Sequence, residues 1–556
     1  MSEEKEKEEL LVNKDENIDD TYSKTKIIIL YGATVGGMLL VVIIVFLVAL
    51  LVGGSSSEKL KNTIIAKYSI QDSDTQVKLI SSKYFGCLSS IKVDKKEIQD
   101  FKEPYLFTPG KHNVQFTFNQ SIETLEEFFK GSIYLEEVNL NTLEYTNLTN
   151  MAGTFQDCVN LKVVNLGKSV TSNVTNMSHL FYNCPNLKGG DISNLDTSEV
   201  VDIKYMFKKC SSLSSFDLSK INTKKVKNMK GLFSRSGIEE VTIPENFAPE
   251  ANDLRGLFKY ATSLKKVDIT KLDTSKITSL NKFFYNCVHL TSIDLSKLNT
   301  KEVKDMSYFF YGCAGLKSLD LNSLDTSKVE NMENMFGGCS NLASLDINKM
   351  STSKVKNMKE MFFGVSSVKS LDLSKFDTTQ VTTMGGMFDY CLSLKSLDLS
   401  NFSSENLVDV SYMFAGSGSL ENIFFGKNFK TEKVTSMYNM FYGCSSISEF
   451  DLSNFETSSV TNMAGMFYKC AGVTELKLNN FDTTNVKKMD QMFGYCTKLE
   501  NLDISNFDSS ALLEENIFLF LGLKENGTII FYPSKFDRNL LALSNLNWEE
   551  KIPEDE

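Results

Sequence analysis

Ten of the eleven cysteines occupy one recurring position, and stacked copies could bring these thiols close enough to form disulfides. They are Cys158, Cys184, Cys210, Cys287, Cys313, Cys339, Cys391, Cys444, Cys470 and Cys496. Elsewhere the same position holds Ser236, Ala261, Val365 or Ser417. A position that accepts these residues requires small size rather than sulfur chemistry, so we predict a ladder of buried free thiols. Cys87 lies apart and has no assignable partner.

An aspartate in the middle of Leu-Asp-Leu segments is the second candidate for chemistry. It recurs as Asp191, Asp217, Asp268, Asp294, Asp320, Asp346, Asp372, Asp398, Asp451 and Asp503. Strand alternation turns these side chains away from the core, and parallel stacking places them ~5 Å apart, where like charges repel. Either hydrogen bonds from nearby Ser and Lys residues, together with solvent screening, offset this repulsion, or the aspartates form an acidic ribbon that recruits a cationic or metal-bridged ligand. We take Asp294, Asp320, Asp346, Asp372 and Asp398 as candidate ligand-binding residues.

The other chemistry-bearing residues argue against catalysis. The three histidines, His112, His179 and His289, are far apart and have no metal-ligand spacing. No glycine-rich phosphate loop and no nucleophile elbow occur, and the repeated carboxylates share one environment, which does not separate an acid from a base. The net charge is −11 and no Lys/Arg block stands out. We therefore predict a non-enzyme with no cofactor, no metal and no nucleic-acid partner.

A repeat of about 26 residues must position all of these side chains. Its copies start at Leu135, Leu161, Leu187, Leu213, Ile238, Leu264, Leu290, Leu316, Leu342, Val368, Leu394, Leu420, Ile447, Val473 and Leu499. The period-two pattern of Leu316–Leu321 predicts a short strand, and copies would pair in parallel. The spacings of three and four from Val329 to Cys339 predict a short helix, which Thr326 or Ser327 would cap. The prediction is an α/β repeat solenoid, leucine-rich-repeat-like, with a parallel sheet and short helices.

Breaks in the repeat are further candidates for function. The acidic column is interrupted at Asn139, Asn165, Thr242, Phe424 and Lys477. An outward aromatic residue is a typical interface anchor, so we add Phe424 to the candidate ligand-binding residues. A second irregular zone runs from Ser234 to Pro249. Irregular copies fit a binding face and sequence drift equally well.

The N-terminal region predicts a membrane span. Residues 27–52 lack charged and strongly polar residues and are long enough to cross a ~30 Å hydrocarbon core. We predict that this segment is an uncleaved signal anchor that crosses the lipid bilayer. The protein would be a single-pass plasma-membrane protein with its N-terminus inside and its repeats outside. The alternative location is the endomembrane system. Glu6, Leu10 and Leu11 resemble an acidic dileucine signal for a sorting adaptor, although a disordered acidic tail explains them as well.

Six Asn-x-Ser/Thr sequons follow the predicted span and are candidate glycosylation sites if that side is lumenal. They are at Asn119, Asn147, Asn173, Asn176, Asn401 and Asn526.

These patterns divide the chain into six segments. We predict an acidic cytoplasmic tail at 1–26, a transmembrane helix at 27–52, a linker at 53–59, a small all-β capping module at 60–122, a solenoid of about 15 units at 123–522 and a C-terminal cap at 523–556. The caps are expected because an open array exposes its core at both ends.

The repeat resembles the BspA-like leucine-rich repeat. The copy from Val368 to Cys391 shows the pattern nearly unbroken, and Val93-Asp94 with Gly110–Phe116 resembles a segment that precedes such arrays. The resemblance implies surface display and adhesion to host or matrix proteins; an N-terminal anchor departs from the expected arrangement. We therefore predict a membrane-anchored cell-surface protein that binds other proteins. The alternative is a sorting or uptake receptor that uses the dileucine signal.

Overall fold

The computed structural model describes residues 62–72, 75–143, 147–166, 171–188, 195–513, 519–542 and 547–553. The predicted tail, span and linker and the sorting residues Glu6, Leu10 and Leu11 lie outside these ranges, as does Asp191.

The array begins on an antiparallel sheet. Its strands are β1 (Thr63–Ile70), β2 (Thr75–Val77), β3 (Leu88–Val93), β4 (Lys96–Glu97), β5 (Tyr105–Phe107) and β6 (Gly110–Phe118), and a 3₁₀ turn covers Ser82–Cys87. β2 pairs with β5. The others join the first repeat strands, β7 (Leu135–Asn139) and β8 (Val163–Asn165), in the order β4-β3-β6-β1-β7-β8. Because β1 lies antiparallel on β7, it covers the strand edge that the first repeat would otherwise expose.

Later repeats stack in parallel. Their strands are β9 (Glu240–Thr242), β10 (Lys266–Asp268), β11 (Ser396–Leu399), β12 (Asn422–Phe425), β13 (Glu475–Lys477) and β14 (Asn501–Asp503), and the C-terminal part adds β15 (Asn526–Ile530), helix α1 (Asn539–Ala542) and β16 (Asn547–Lys551). β9 pairs with β10, β11 with β12, and β13 to β16 form one sheet, all in parallel. Single parallel bridges 25 to 27 residues apart link successive turns from Thr124 to Lys488. The predicted parallel repeat solenoid is confirmed.

The predicted short helices, and with them the α/β class, are wrong. In the segment Ile203–Cys210, backbone N–H groups bond alternately within the turn and to the next turn: Met206 N donates to Ile203 O (3.2 Å), whereas Tyr205 N donates to Lys230 O (2.9 Å). Tyr205 and Lys209 have φ values of 56° and 65°, which an α-helix does not contain. Two consecutive β-turns therefore produce the spacings of three and four, and the described array is a β-solenoid.

Columns of identical contacts hold the turns together. Sixteen phenylalanine rings lie nearly parallel, with centroids of successive rings 5.5 to 6.3 Å apart. A buried threonine column runs beside them: Thr378 Oγ donates to Ser403 O (3.0 Å) and accepts from Ser403 N (2.8 Å). Each ladder thiol donates to a phenylalanine carbonyl of the preceding turn, for example Cys313 Sγ to Phe284 O at 3.1 Å.

All eleven cysteines are free, and the ten in the ladder are buried, which confirms the predicted thiol ladder. Burial and neighbouring thiols raise the pKa of Cys313 well above its ordinary value, so this sulfur stays protonated. The column thus contributes packing and weak hydrogen bonds.

The predicted localisation as a single-pass plasma-membrane protein is corrected by the structure. Among the described residues, no helix has both the length and the apolar character that a bilayer crossing requires.

Candidate functional site

The aspartate column closes turns within each copy. Every described member accepts a hydrogen bond from the backbone N–H two residues later, at 2.8 to 3.2 Å. The hydroxyl and backbone N–H of Ser374 hold the pKa of Asp372 below its ordinary value. The described residues contain no group of three or more His, Cys, Asp or Glu side chains arranged to hold a metal ion. These bonds favour the alternative in which Ser donors and solvent offset the repulsion; a role for Asp294, Asp320, Asp346, Asp372 and Asp398 in binding stays a prediction.

Phe424 lies on the same strand face as the aspartates. Its side chain is 55% exposed. Phe424 lies two residues after Asn422 in β12 and pairs in register with Asp398 of β11, so the two side chains are on the same face of the sheet. Its neighbour Phe425 instead packs into the core against Phe414, Phe429 and Phe455. The structure therefore presents Phe424 as an aromatic side chain beside a carboxylate.

The sequon asparagines differ in their surroundings. Asn119, Asn147, Asn173 and Asn526 are exposed, and Asn176 is half-buried. Asn401 Nδ2 donates to three carbonyl oxygens of the preceding turn, those of Leu373, Ser374 and Phe376, at 2.8 to 3.4 Å. A glycan on Asn401 would have to replace these bonds, so this sequon is the least suited to modification.

A different surface concentrates aromatic and charged side chains. In the segment Ile203–Cys210 the pairs Lys204-Tyr205 and Lys208-Lys209 lie at the surface between buried residues. The four equivalent positions of all turns form one edge of the solenoid, which we call the turn edge. Twelve of the twenty tyrosines occupy it: Tyr182, Tyr205, Tyr260, Tyr285, Tyr308, Tyr311, Tyr390, Tyr412, Tyr438, Tyr442, Tyr468 and Tyr495.

Half of these tyrosines have a left-handed backbone. Tyr205, Tyr260, Tyr308, Tyr390, Tyr412 and Tyr495 have φ values of 56° to 59°. At the equivalent positions other turns carry glycine, as at Gly231 and Gly338 (φ of 59° and 70°), or a polar residue, as at Asn334 and Lys469 (φ of 53° and 61°). A bulky residue in this region costs roughly 1 kcal/mol relative to glycine. The turn edge therefore carries large side chains at a cost in stability, and such strain is concentrated at functional sites in proteins.

Two of the three most exposed turn-edge tyrosines, Tyr390 and Tyr412, lie in the turns from Phe363 to Tyr438, which we call the aromatic segment; the third is Tyr495. Tyr390 is 51% and Tyr412 39% exposed, and Leu392 beside them is 49% exposed. Tyr412 and Tyr438 lie edge to face with ring centroids 5.0 Å apart, and Phe363 lies 6.3 Å from Tyr390. Tyrosine is enriched in protein interfaces and among the residues that contribute most to binding.

A carboxyl group lies half-buried within the aromatic segment. Burial, with the nearby charge of Glu360, raises the pKa of Asp389 to about 7. Its Oδ1 atom is buried and has no hydrogen-bond partner among the described residues. Asp389 thus changes charge near neutral pH beside the exposed ring of Tyr390.

The turn edge also carries a basic segment, which the linear sequence did not reveal. It consists of Lys204, Lys208, Lys209, Lys230, Arg235, Arg255, Lys259 and Lys282. Along the chain these residues are spread over almost eighty positions and form no block. Aligning the copies by their cysteine position would have placed them in four successive turns, which include the irregular zone Ser234–Pro249.

Comparisons with known proteins give a family and similar structures. A family model described as "Mycoplasma protein of unknown function, DUF285" matches residues 112–184, 149–238, 252–370, 313–423, 339–445 and 419–521, more than half of the chain. No curated protein matches. A leucine-rich cell surface protein from Faecalibacterium prausnitzii is similar in structure, at 16% identity over 70% of this chain and 89% of that one (TM-score 0.29). A TLR13–ssRNA13 complex is similar at 14% identity over 78% and 80% (TM-score 0.23).

Proposed function

The chain belongs to the family described as Mycoplasma protein of unknown function, DUF285, and we propose that it acts without catalysis, by binding other proteins through the aromatic segment of its turn edge. The observation that carries this proposal is the left-handed backbone of Tyr390 and Tyr412, at φ of 56° and 59°, where other turns carry glycine or a polar residue and these turns keep an exposed aromatic ring. Retaining two half-exposed rings at strained positions has a cost that core packing does not explain.

The chemistry of the segment suits a protein ligand. Tyrosine offers a large apolar face and a hydroxyl group while losing little side-chain entropy on binding. Leu392 adds apolar area beside Tyr390, and the Asp389 carboxyl can accept a hydrogen bond. Phe424 would extend contact onto the strand face as a second anchor. As the resemblance to BspA-like proteins implies, we propose host or matrix proteins as the ligands, which makes the activity adhesion.

The test measures binding of the full chain to a panel of immobilised, purified matrix proteins. Tyr390→Gly combined with Tyr412→Gly should weaken binding at least about tenfold, since aromatic anchors are each worth about 2 kcal/mol or more. The melting temperature should stay within a few degrees of the wild type, because relief of the left-handed strain offsets the lost ring contacts.

Asn183→Gly combined with Asn286→Gly is the matched control. These residues have the same backbone conformation, at φ of 59° and 57°, but carry no ring and lie on turns far from the aromatic segment, so binding should be retained. Unchanged binding by the double tyrosine variant would refute the role of the aromatic segment. Failure of every matrix protein to bind the wild-type chain would refute adhesion.

A further inference from the structure

The basic segment concentrates positive charge on a chain whose net charge is −11. Of its eight cations, Lys204 and Arg255 form ion pairs, with Asp202 at 3.9 Å and with Asp253 at 2.7 Å. The other six form no salt bridge within the part of the chain that the structure describes. Successive turns of a parallel β-structure are ~4.8 Å apart, so four turns place these charges within about 14 Å along the solenoid axis.

Aromatic rings hold several of these cations in place. Lys208 Nζ lies 4.4 Å from the ring centroid of Tyr205, and the Arg235 guanidinium lies 4.6 Å from that of Tyr260. Lys259 lies over both Tyr260 and Tyr285, at 5.5 and 5.4 Å. Burial and neighbouring cations lower the pKa values of Lys208 and Lys259. The cations are thus preorganised against their mutual repulsion, and a bound polyanion would relieve that repulsion.

Seven of the eight cations, all but Lys204, line a surface cleft of about 470 Å³, together with Tyr205, Gly231, Ser234, Gly256 and Asn281. Among the described residues, the large hydrophobic side chains that are well exposed all lie outside these four turns. A membrane surface would call for apolar residues able to insert between lipids, so the cleft fits a chain-like ligand better than a bilayer.

Two features argue against a nucleic acid. Single-strand binders stack bases on free aromatic faces, whereas the cations of this segment lie over the Tyr205 and Tyr260 rings. Six of the eight cations are lysines, and the Arg255 fork already binds Asp253 through two hydrogen bonds, at 2.7 and 2.9 Å. Arginine usually recognises phosphates and bases through two parallel hydrogen bonds, and among the described residues of this segment only Arg235 is free to do so.

Charge density argues against an acidic peptide. An extended strand presents alternate side chains on one face about 6.6 Å apart, which gives two or three carboxylates over about 14 Å. Six cations without an ion pair call for a more highly charged chain. Sulfated polysaccharides carry several anionic groups on each disaccharide and have no bases that need stacking. Lysine ammonium groups, as compact point charges, suit anions at variable positions.

We propose that the basic segment of the turn edge is a binding site for a sulfated polysaccharide chain, which lies along the solenoid axis across the four turns from Lys204 to Lys282. The site is separate from the aromatic segment and does not depend on the protein ligand proposed above.

The experiment measures affinity of the full chain for heparin and for chemically desulfated heparin at several salt concentrations. Lys208→Gln, Lys230→Gln and Lys259→Gln together should weaken heparin binding at least about tenfold and reduce the slope of log affinity against log salt by about two to three, one per lost contact. Desulfated heparin should bind the wild-type chain weakly. Circular dichroism melting verifies that the variant remains folded.

Lys297→Gln, Lys349→Gln and Lys375→Gln form the matched control. These three exposed lysines lie on other turns, and their replacement changes the net charge equally. Equal weakening by the control, or equal binding of desulfated heparin, would overturn the proposal. Tighter binding of a single-stranded oligonucleotide or of anionic phospholipid vesicles through the same three lysines would also overturn it. The Tyr390/Tyr412 glycine variant should bind heparin like the wild type, so the two proposals can fail separately.

Discussion

At the scale of single residues, the same residue type has opposite electrostatic behaviour in different surroundings. Asp372, in the exposed column, accepts bonds from Ser374, which stabilise its ionised form. Asp389, on the turn edge, is half-buried near Glu360, which favours its protonated form. The sequence does not distinguish them, since both are single aspartates in a repeating segment. Their difference arises from burial and from contacts between turns, and only the folded array supplies these.

Replacement of Asp389 by Asn should therefore change how stability depends on pH. The pKa of this carboxyl is about 7 in the folded protein and 3.8 ordinarily, so the wild-type residue weakens the fold progressively as pH rises from about 4 to about 7. Asp389→Asn removes this effect. In urea unfolding at pH 8 the variant should be more stable than the wild type, by on the order of 1 kcal/mol because partial exposure screens the charge. At pH 3.5 the two proteins should be equal.

The opposite control is Asp372→Asn. Because its pKa is lowered in the folded state, ionised Asp372 stabilises the protein above the ordinary pKa, and its replacement should lower the urea midpoint at pH 8. A pH-independent difference between Asp389→Asn and the wild type would contradict the assignment.

At the scale of elements, the sequence predicts the columns but not the backbone that connects them. The strand pattern and the thiol column follow directly from alternation and residue size. The spacings of three and four were misleading, because a helix and a pair of consecutive β-turns bury the same positions. The left-handed backbone of Tyr205 and Lys209 distinguishes the two β-turns from a helix. Neither tyrosine nor lysine is a residue type that indicates this conformation in a sequence. Glycines at the equivalent positions of other copies were the available signal.

The threonine column should be essential to the stacking of turns. Thr378→Val keeps the side-chain shape but removes a donor to Ser403 O and an acceptor for Ser403 N, both in buried surroundings. The free energy of unfolding should fall by about 1–3 kcal/mol, measured by urea denaturation. Thr382→Val is the control, since its hydroxyl donates to Lys356 O at the exposed surface and should matter little. Equal effects of the two substitutions would show that the column is not a special source of stability.

At the scale of the whole molecule, the turn edge contains two segments that differ in charge and in aromatic content. The basic segment precedes the aromatic segment along one continuous array. Periodicity in the sequence was enough to predict the solenoid, because stacking accounts for nearly all apolar residues. The surface specialisation was not predicted, because the prediction of binding residues relied on a recurring column, the aspartates, whereas the turn-edge positions differ from copy to copy. The columns that vary most between copies proved to be the ones that hold candidate sites.

The C-terminal part should be required to close the last turn. Leu523, Ile529, Phe531 and Phe536 are buried, and Trp548 Nε1 donates to Lys524 O at 2.9 Å. Truncation after Gly522 removes these residues and exposes the end of the core, so the product should form concentration-dependent oligomers and melt at a lower temperature than the full chain. Size-exclusion chromatography with light scattering measures the first effect. Truncation after Lys551 should behave like the full chain, and identical behaviour of the two truncations would refute a capping role.

The repeated contacts between turns also affect how such a molecule evolves. Most turns meet their neighbours through the same phenyl, thiol and threonine groups, so recombination between copies within the gene can add or delete an entire unit and leave these contacts largely intact. A lineage can thus lengthen or shorten the protein, and alter the distance between its lysine-rich and tyrosine-rich surfaces, without passing through a misfolded ancestor.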